Sequence, residues 1–255
     1  MLCRERHTAG FVIFRELSMT QTAPILVTGA GQRIGLAFAL HCLDRGQPVI
    51  VSYRTPRPAV DDLIARGALA IQADFATDAG ISAFIDQLLS NTDSLRAIIH
   101  NASDWLPERP GHAPAETFNA MMQVHAMAPY RINLACQHLL MAGEGLRDII
   151  HMTDYVADKG SRKHIAYAAS KAALSNMTAS FAQLLAPRVK VNSLAPAMIM
   201  FNEKDDDAYR QKTLKKSLLQ IEPGVQVAVD TLQFILDNPY FSGRTLPLDG
   251  GRHLV

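Results

Sequence analysis

The stretch Pro24-Ile25-Leu26-Val27-Thr28-Gly29-Ala30-Gly31-Gln32-Arg33-Ile34-Gly35 constrains this chain more than any other. Its apolar run predicts a short buried strand, its glycines a tight turn, and residues 36–45, closed by Gly46, a helix. A strand, a glycine turn and a helix in that order form the context of a dinucleotide-binding unit. Gly29 permits the turn and Gly35 permits close packing of helix on strand. The helix N-terminus offers unpaired N–H groups to a pyrophosphate. Glycine turns also join strands to helices with no ligand between them, so the remainder of a cofactor site has to be found elsewhere.

The alternation continues. Residues 48–53, 68–72, 95–100, 148–152 and 189–194 read as strands. Between them, helical spacing marks residues 59–66, the set Ile81, Phe84, Ile85, Leu88 and Leu89, residues 116–125 with a continuation past Pro129 to about 140, and a helix from Tyr167 to about 185. Two more helices are expected near 209–219 and 225–236, and a last short strand and turn over 243–251. With 255 residues, 48% of them hydrophobic, and neither repeat nor linker, this predicts an α/β fold: a single Rossmann-type domain with a doubly wound parallel sheet over residues 19–255. Residues 1–18 differ, with several charges and one patch, Phe11-Val12-Ile13-Phe14, too short for a secretory segment. They are expected to be a disordered extension or a misassigned start, with Met19 the functional beginning. A formal net charge of +1 gives no case for nucleic acid or an anionic membrane, and no apolar run approaches a bilayer span. Cys3, Cys42 and Cys136 lack metal-ligand spacing and read as reduced thiols of a cytoplasmic protein, with no metal site.

Chemistry-bearing residues gather at the expected strand ends, where open parallel sheets bind ligands. The second strand runs into Ser52-Tyr53-Arg54-Thr55-Pro56-Arg57, with none of the acid that would hold a ribose 2′-hydroxyl. Arg54, helped by Arg33, is set to face a 2′-phosphate, so NADP is favoured over NAD. After the third strand, Asp74 beside Phe75 either accepts from an adenine amine or caps the next helix. Asn101-Ala102-Ser103 ends the fourth, followed by Asp104 and Trp105. Asp154 follows the fifth. Tyr167 and Lys171, four residues apart, share one helix face, and the ammonium is expected to make the phenol easier to ionise. Ala195-Pro196 opens the least regular part, in which the charged residues 201–210 form either a substrate lid or a solvated loop.

Thr28-Gly29 with Gly35, Asn101-Ala102-Ser103, Tyr167-x-x-x-Lys171 and Asp249-Gly250-Gly251 stand in one order, and over residues 23–255 the chain resembles the short-chain dehydrogenase/reductase family. The resemblance implies a nicotinamide cofactor and commonly a homotetramer. It implies a cofactor site of Gly29, Arg33, Ile34, Tyr53, Arg54, Thr55, Asp74, Phe75, Asn101, Ala102, Ser103, Tyr167, Lys171 and Pro196. Three departures are informative: Arg33 replaces the loop's middle glycine, Asp154 stands at the usual catalytic serine, and Ser103 replaces a glycine. All three are similar to the pteridine reductases. That likeness implies NADPH as cofactor and a small dihydropterin as substrate, with Tyr167, Lys171 and Asp154 catalytic and Ser103, Trp105, Asp154 and Tyr167 facing the pterin. An imine nitrogen needs a delivered proton, which a carboxyl beside a tyrosine supplies better than a serine hydroxyl does. Trp105 either stacks on the pterin or is an ordinary loop aromatic. His125, where the wider family usually has an Asn, either replaces it in a proton relay or packs the helix. A ketone reductase and a non-catalytic dinucleotide sensor are the rival readings. Asp154 speaks against the first and the intact Tyr167–Lys171 pair against the second.

Overall fold

A computed structural model describes residues 22–108 and 113–255. The expected extension over 1–18, with Cys3, lies outside the described residues. Seven strands form one sheet: β1 (Ile25–Val27), β2 (Val49–Tyr53), β3 (Leu69–Gln72), β4 (Ala97–His100), β5 (Arg147–Met152), β6 (Val189–Pro196) and β7 (Thr245–Leu248). All neighbours are parallel, in the order β3-β2-β1-β4-β5-β6-β7. The chain winds outward from β1 to β3, then returns to the other side of β1 with β4. The crevice at the carboxyl ends of β1 and β4 is therefore the topological switch point.

Side-chain alternation explains why the sheet is covered on both faces. Ile25 and Val27 point into a core shared with Phe38 of α1 (Arg33–Asp44) and Leu232 and Ile235 of α10 (Gln226–Asp237). Leu26, between them, points the other way and meets Phe84 and Leu88 of α3 (Asp78–Asn91), Ile132 of α5 (Ala128–Ala135) and Phe181 of α8 (Ile165–Leu185). Phe38, Phe84 and Leu88 are wholly buried, so truncating any of them to Ala costs roughly 2–5 kcal/mol. The remaining helices are α2 (Pro58–Ala65), α4 (Pro114–Met122), α6 (Gln137–Met141), α7 (Val156–Lys159) and α9 (Asp207–Leu214).

One helix expectation is refined and one alternative is corrected. The helix over 116–125 continues past Pro129 as expected. It passes from α4 through a widened π segment, Gln123–Met127, directly into α5. Proline has no N–H for the carbonyl four residues back, and the turn before it loosens to i→i+5 geometry. His125 sits in that segment. Asp74 does not cap α3: Thr77 does, its hydroxyl accepting from Gly80 N–H at 3.0 Å, while Asp74 accepts from Ala76 N–H at 3.1 Å in the turn before it.

Candidate active site

The switch-point crevice is built by backbone that only particular residues allow. Gly29 has φ of +67°, and a Cβ there would lie 2.7 Å from Ala102 Cα, so β1 and β4 approach at this point only through a glycine. Thr28 Oγ1 accepts the N–H groups of Asn101 and Ala102, both at 3.0 Å, and Asn101 Nδ2 donates to the carbonyls of Thr28 and Gly29 at 3.0 Å. These bonds lock the glycine turn to the end of β4. Gln32, at the N-cap of α1, makes no side-chain hydrogen bond to the first turn, whose N–H groups face the crevice mouth.

Arg33 keeps the left-handed backbone of the glycine it replaces, with φ of +55°. Its guanidinium crosses to the segment after β6, donating to Asn202 Oδ1 at 2.8 Å and the Met200 carbonyl at 3.1 Å. Two long-range hydrogen bonds offset the strain of that conformation. Arg54 donates to Asp104 Oδ2 at 2.9 Å across the mouth.

One cleft is lined by eleven of the fourteen cofactor residues expected from sequence: Gly29, Arg33, Ile34, Tyr53, Arg54, Thr55, Asp74, Phe75, Asn101, Ala102 and Ser103. Gly31, Gln32 and Arg57 line it too. Arg57 is absent from the expected set; its position three residues after Arg54, before the Pro58 start of α2, is the signal the sequence offers for it. Tyr167, Lys171 and Pro196 are not in that lining. They stand further along the sheet, where β5 and β6 end. The residues fit a dinucleotide: a glycine-floored turn, an uncapped helix start and two arginines at the β2 end.

The second half of the site is a buried proton system. Tyr167 donates its hydroxyl to Asp154 Oδ2 at 2.9 Å, and Asp154 Oδ1 accepts Val156 N–H at 3.0 Å. Burial pushes the Asp154 carboxyl above its usual range, against the pull of Val156 N–H, the Tyr167 hydroxyl, Lys171 and Arg252. The Tyr167 phenol also moves up, well above its ordinary value, through burial first and then the charge and hydrogen bond of Asp154. Burial and Asp154 outweigh the easing expected of Lys171. Lys171 Nζ lies 5.6 Å from the phenol ring centroid and donates instead to the Met152 carbonyl at 2.8 Å. Its own ammonium is pushed down to about 8 by burial, with Asp154 opposing.

His125 is wholly buried beside this pair, edge-on to the Tyr167 ring at 5.3 Å. Asp104 N–H, an obligate donor, reaches Nε2 at 3.2 Å, so that nitrogen accepts. Nδ1 then carries the proton and donates to Ser170 Oγ at 2.9 Å, while Ser170 donates to the Tyr167 carbonyl at 2.7 Å. Ser103 Oγ lies 2.8 Å from Nε2. Burial and the Lys171 charge hold the imidazole down to about 2, hence neutral at any working pH. Of the two readings of His125, the structure shows the packing one: it packs the helix and ties the Ser103–Asp104 backbone to α8. Trp105 is 61% exposed and stacks on His164, with ring centroids 4.2 Å apart and planes at 16°. Pro196 closes β6, its carbonyl accepting Tyr155 N–H at 3.1 Å behind Asp154. In the irregular stretch Phe201 is buried, with the Arg210 guanidinium 5.0 Å from its ring, so part of that stretch is core and not solvated loop.

Comparison with known proteins agrees with this geometry. A family model described as short chain dehydrogenase matches residues 23–209. The chain is 55% identical over 239 residues to a dihydromonapterin reductase of Escherichia coli (strain K12), covering 93% of this chain and 100% of the relative. It is 57% identical over 235 residues to a dihydromonapterin reductase of Klebsiella pneumoniae, covering 92% and 98%. Among solved structures, FolM alternative dihydrofolate reductase 1 from Brucella canis, complexed with NADP, superposes with a TM-score of 0.82 at 26% identity, covering 93% of this chain and 96% of that one. The crevice, the Tyr167–Lys171 helix and these matches together make this chain a member of the short-chain dehydrogenase/reductase family.

Proposed function

We propose that this protein is an NADPH-dependent reductase of 7,8-dihydromonapterin, giving tetrahydromonapterin, with a second activity on dihydrofolate. The observation that carries the reading is the 2.9 Å hydrogen bond between Tyr167 and Asp154, two acids that burial pushes above their ordinary range. Relatives at 55% and 57% identity that are named dihydromonapterin reductases support the substrate, and the NADP-bound neighbour named a dihydrofolate reductase supports the cofactor and the second activity.

When bound, NADPH supplies a hydride to C6 of the dihydropterin. The chain's own part is to hold the cofactor, exclude water and deliver one proton to N5. Gly29, Asn101 and the α1 N-terminus form the floor for the pyrophosphate, and Arg33, Arg54 and Arg57 face its anionic groups. Lys171, held by the Met152 carbonyl, steadies the nicotinamide ribose. Asp154 gives its proton towards N5, and Tyr167, hydrogen-bonded to it, replenishes or shares that proton. A serine at position 154 would stabilise an alkoxide but has no proton to give at neutral pH, so the aspartate favours a C=N bond over a C=O bond. Ser103 offers a polar contact and Trp105 an exposed aromatic edge at the pterin mouth.

No described helix is long and apolar enough to cross a membrane. The same reading makes the protein a cytoplasmic homotetramer. Two buried free thiols, Cys42 and Cys136, support the compartment. The exposed Phe118, Met127, Tyr130 and Leu134 of the α4–α5 region support association.

The deciding test is oxidation of NADPH by the purified protein with 7,8-dihydromonapterin, with NADH in parallel. Turnover with NADPH that Asp154→Ser reduces by about 10²–10⁴-fold, with cofactor affinity unchanged, is the expected result. Undiminished turnover in that variant would move the proton path elsewhere.

A further inference from the structure

Among the described residues, four cations near the proton system form no ion pair. Lys163 precedes α8 beside His164, the imidazole on which Trp105 stacks. Lys212 is in the last turn of α9 and Lys216 in the turn that follows it. Arg252 follows the Gly250–Gly251 turn, its guanidinium 4.6 Å from the ring centroid of Tyr155, the residue next to Asp154. Packing brings the last two of these segments together. Leu219 N–H donates to the Gly250 carbonyl at 3.1 Å, and the Leu218 side chain would lie 3.0 Å from a Cβ at Gly251. Lys216 and Arg252 are thereby set against each other.

The carboxylates nearby are committed elsewhere. Asp249 accepts Gly251 N–H and His253 N–H at 3.0 Å and His253 Nδ1 at 2.7 Å. Glu108 spends both oxygens on Ile165 and Ala166 N–H at 2.8 Å, at the start of α8. Asp206 caps α9 at its far end. Among the described residues none of the four cations forms an ion pair. Burial, and then the charges of Arg252, Lys212 and Lys163, lower the Lys216 ammonium from its usual range. In a chain of net charge +1 this is a local concentration of positive charge on three separate segments, at the rim of the site that holds Asp154.

We propose that Lys163, Lys212, Lys216 and Arg252 form a receiving site for an anionic group carried by the substrate beyond its pterin ring. This rests on the pterin-reductase reading and extends it. Glutamyl carboxylates of a folate are the chemistry that fits best. A monoglutamate brings two carboxylates to the rim, and each further γ-linked glutamate adds one, so attraction grows with tail length. A phosphate ester on a short pterin side chain shares the chemistry but presents its charge close to the ring. The site acts on binding and not on the proton step, so it changes KM and leaves kcat alone. Its contribution is screened by salt, because the lysines are exposed.

The test compares four substrates with NADPH: dihydromonapterin, its phosphate ester, dihydrofolate monoglutamate and dihydrofolate triglutamate, at about 20 mM and about 200 mM salt. Arg252 is left intact, since it also touches Tyr155; the variant is Lys212→Ala/Lys216→Ala. The triglutamate KM is expected to be about 3–10-fold below that of the monoglutamate at low salt, the gap closing at high salt. In the variant, the ratio of kcat/KM for the triglutamate to that for dihydromonapterin falls about fivefold or more. Equal KM values across tail lengths, or an unchanged ratio, overturn the proposal. A preference confined to the phosphate ester overturns the folate tail and leaves the anion site standing. If dihydromonapterin itself is not reduced, the pterin reading fails separately. Quenching of Trp105, the chain's one tryptophan, by oxidised pteroyl-monoglutamate and pteroyl-triglutamate then decides the rim by binding alone. Tighter, salt-sensitive binding of the triglutamate that the variant loses supports it, and equal binding ends it.

Discussion

Asp154 and Tyr167 were picked out of the sequence by their spacing from one strand end and one helix face, but what they do together depends on burial, which spacing does not report. Lys171 is expected to ease ionisation of the phenol; burial among Ala166, Ala168 and Met121 and the neighbouring Asp154 outweigh that and raise it, while Lys171 donates to the Met152 carbonyl. A proton donor with a raised pKa is loaded below that pKa and loses its proton as pH rises through it. The kcat/KM for pterin reduction is therefore expected to fall with rising pH through the raised Asp154 pKa, and Asp154→Asn should abolish that limb. A second loss is expected above about 8, where Lys171 gives up its charge. A pH–rate profile with neither limb in the wild type would remove Asp154 as the donor. At the β2 end, Arg54→Ala should weaken NADPH by about tenfold or more and NADH far less, read by cofactor titration. Equal losses would show that Arg54 does not face the 2′-phosphate.

At the scale of elements, the strands were legible because alternating residues such as Ile25, Leu26 and Val27 feed two different cores, and a parallel strand buried on both faces is apolar throughout. The helices were less so. Nothing in the pattern over 116–125 marks the π segment, because apolar spacing is nearly the same in an α turn and in one widened turn. The consequence of Pro129 for the residues before it was the only sign. His125 owes its place to that widening, which is why sequence left it between two roles. The glycine turn, by contrast, is legible down to its geometry. Gly29→Ala is expected to cost roughly 2–4 kcal/mol, from a left-handed backbone and a Cβ forced to within 2.7 Å of Ala102 Cα, and to weaken cofactor binding at the same time. Thermal melting and NADPH titration of the variant check both. A Tm unchanged from wild type would mean that β4 can move aside.

For the whole molecule, the buried polar line His100, Asn133, His151 and Thr178 ties stability to pH. His100 Nε2 meets Asn133 Oδ1 at 2.7 Å, Asn133 Nδ2 meets His151 Nε2 at 3.2 Å, and His151 Nδ1 meets Thr178 Oγ1 at 2.8 Å. Burial holds His100 down to about 4 and His151 well below its ordinary value, and His125 behaves alike. These imidazoles stay neutral when folded but charge when unfolded. The stability they confer is complete above the unfolded value of about 6.5 and is lost as pH falls from there. Each adds a slope of about 1.4 kcal/mol per pH unit below that value, so melting temperature should drop steeply between about pH 6 and about pH 4. His151→Gln should flatten the slope by about a third, and an equally steep fall in that variant would assign the acid sensitivity to carboxylates instead. Arg33 works over the same distance. One guanidinium joins the turn before α1 to Met200 and Asn202, on the segment that leads to α9. A cofactor phosphate that drew Arg33 toward itself would loosen that segment, and a substrate that pressed the segment down would take charge away from the turn. The two ligands would then carry a coupling free energy through a single side chain. By reciprocity, whatever factor NADPH imposes on pterin affinity is the factor pterin imposes on NADPH.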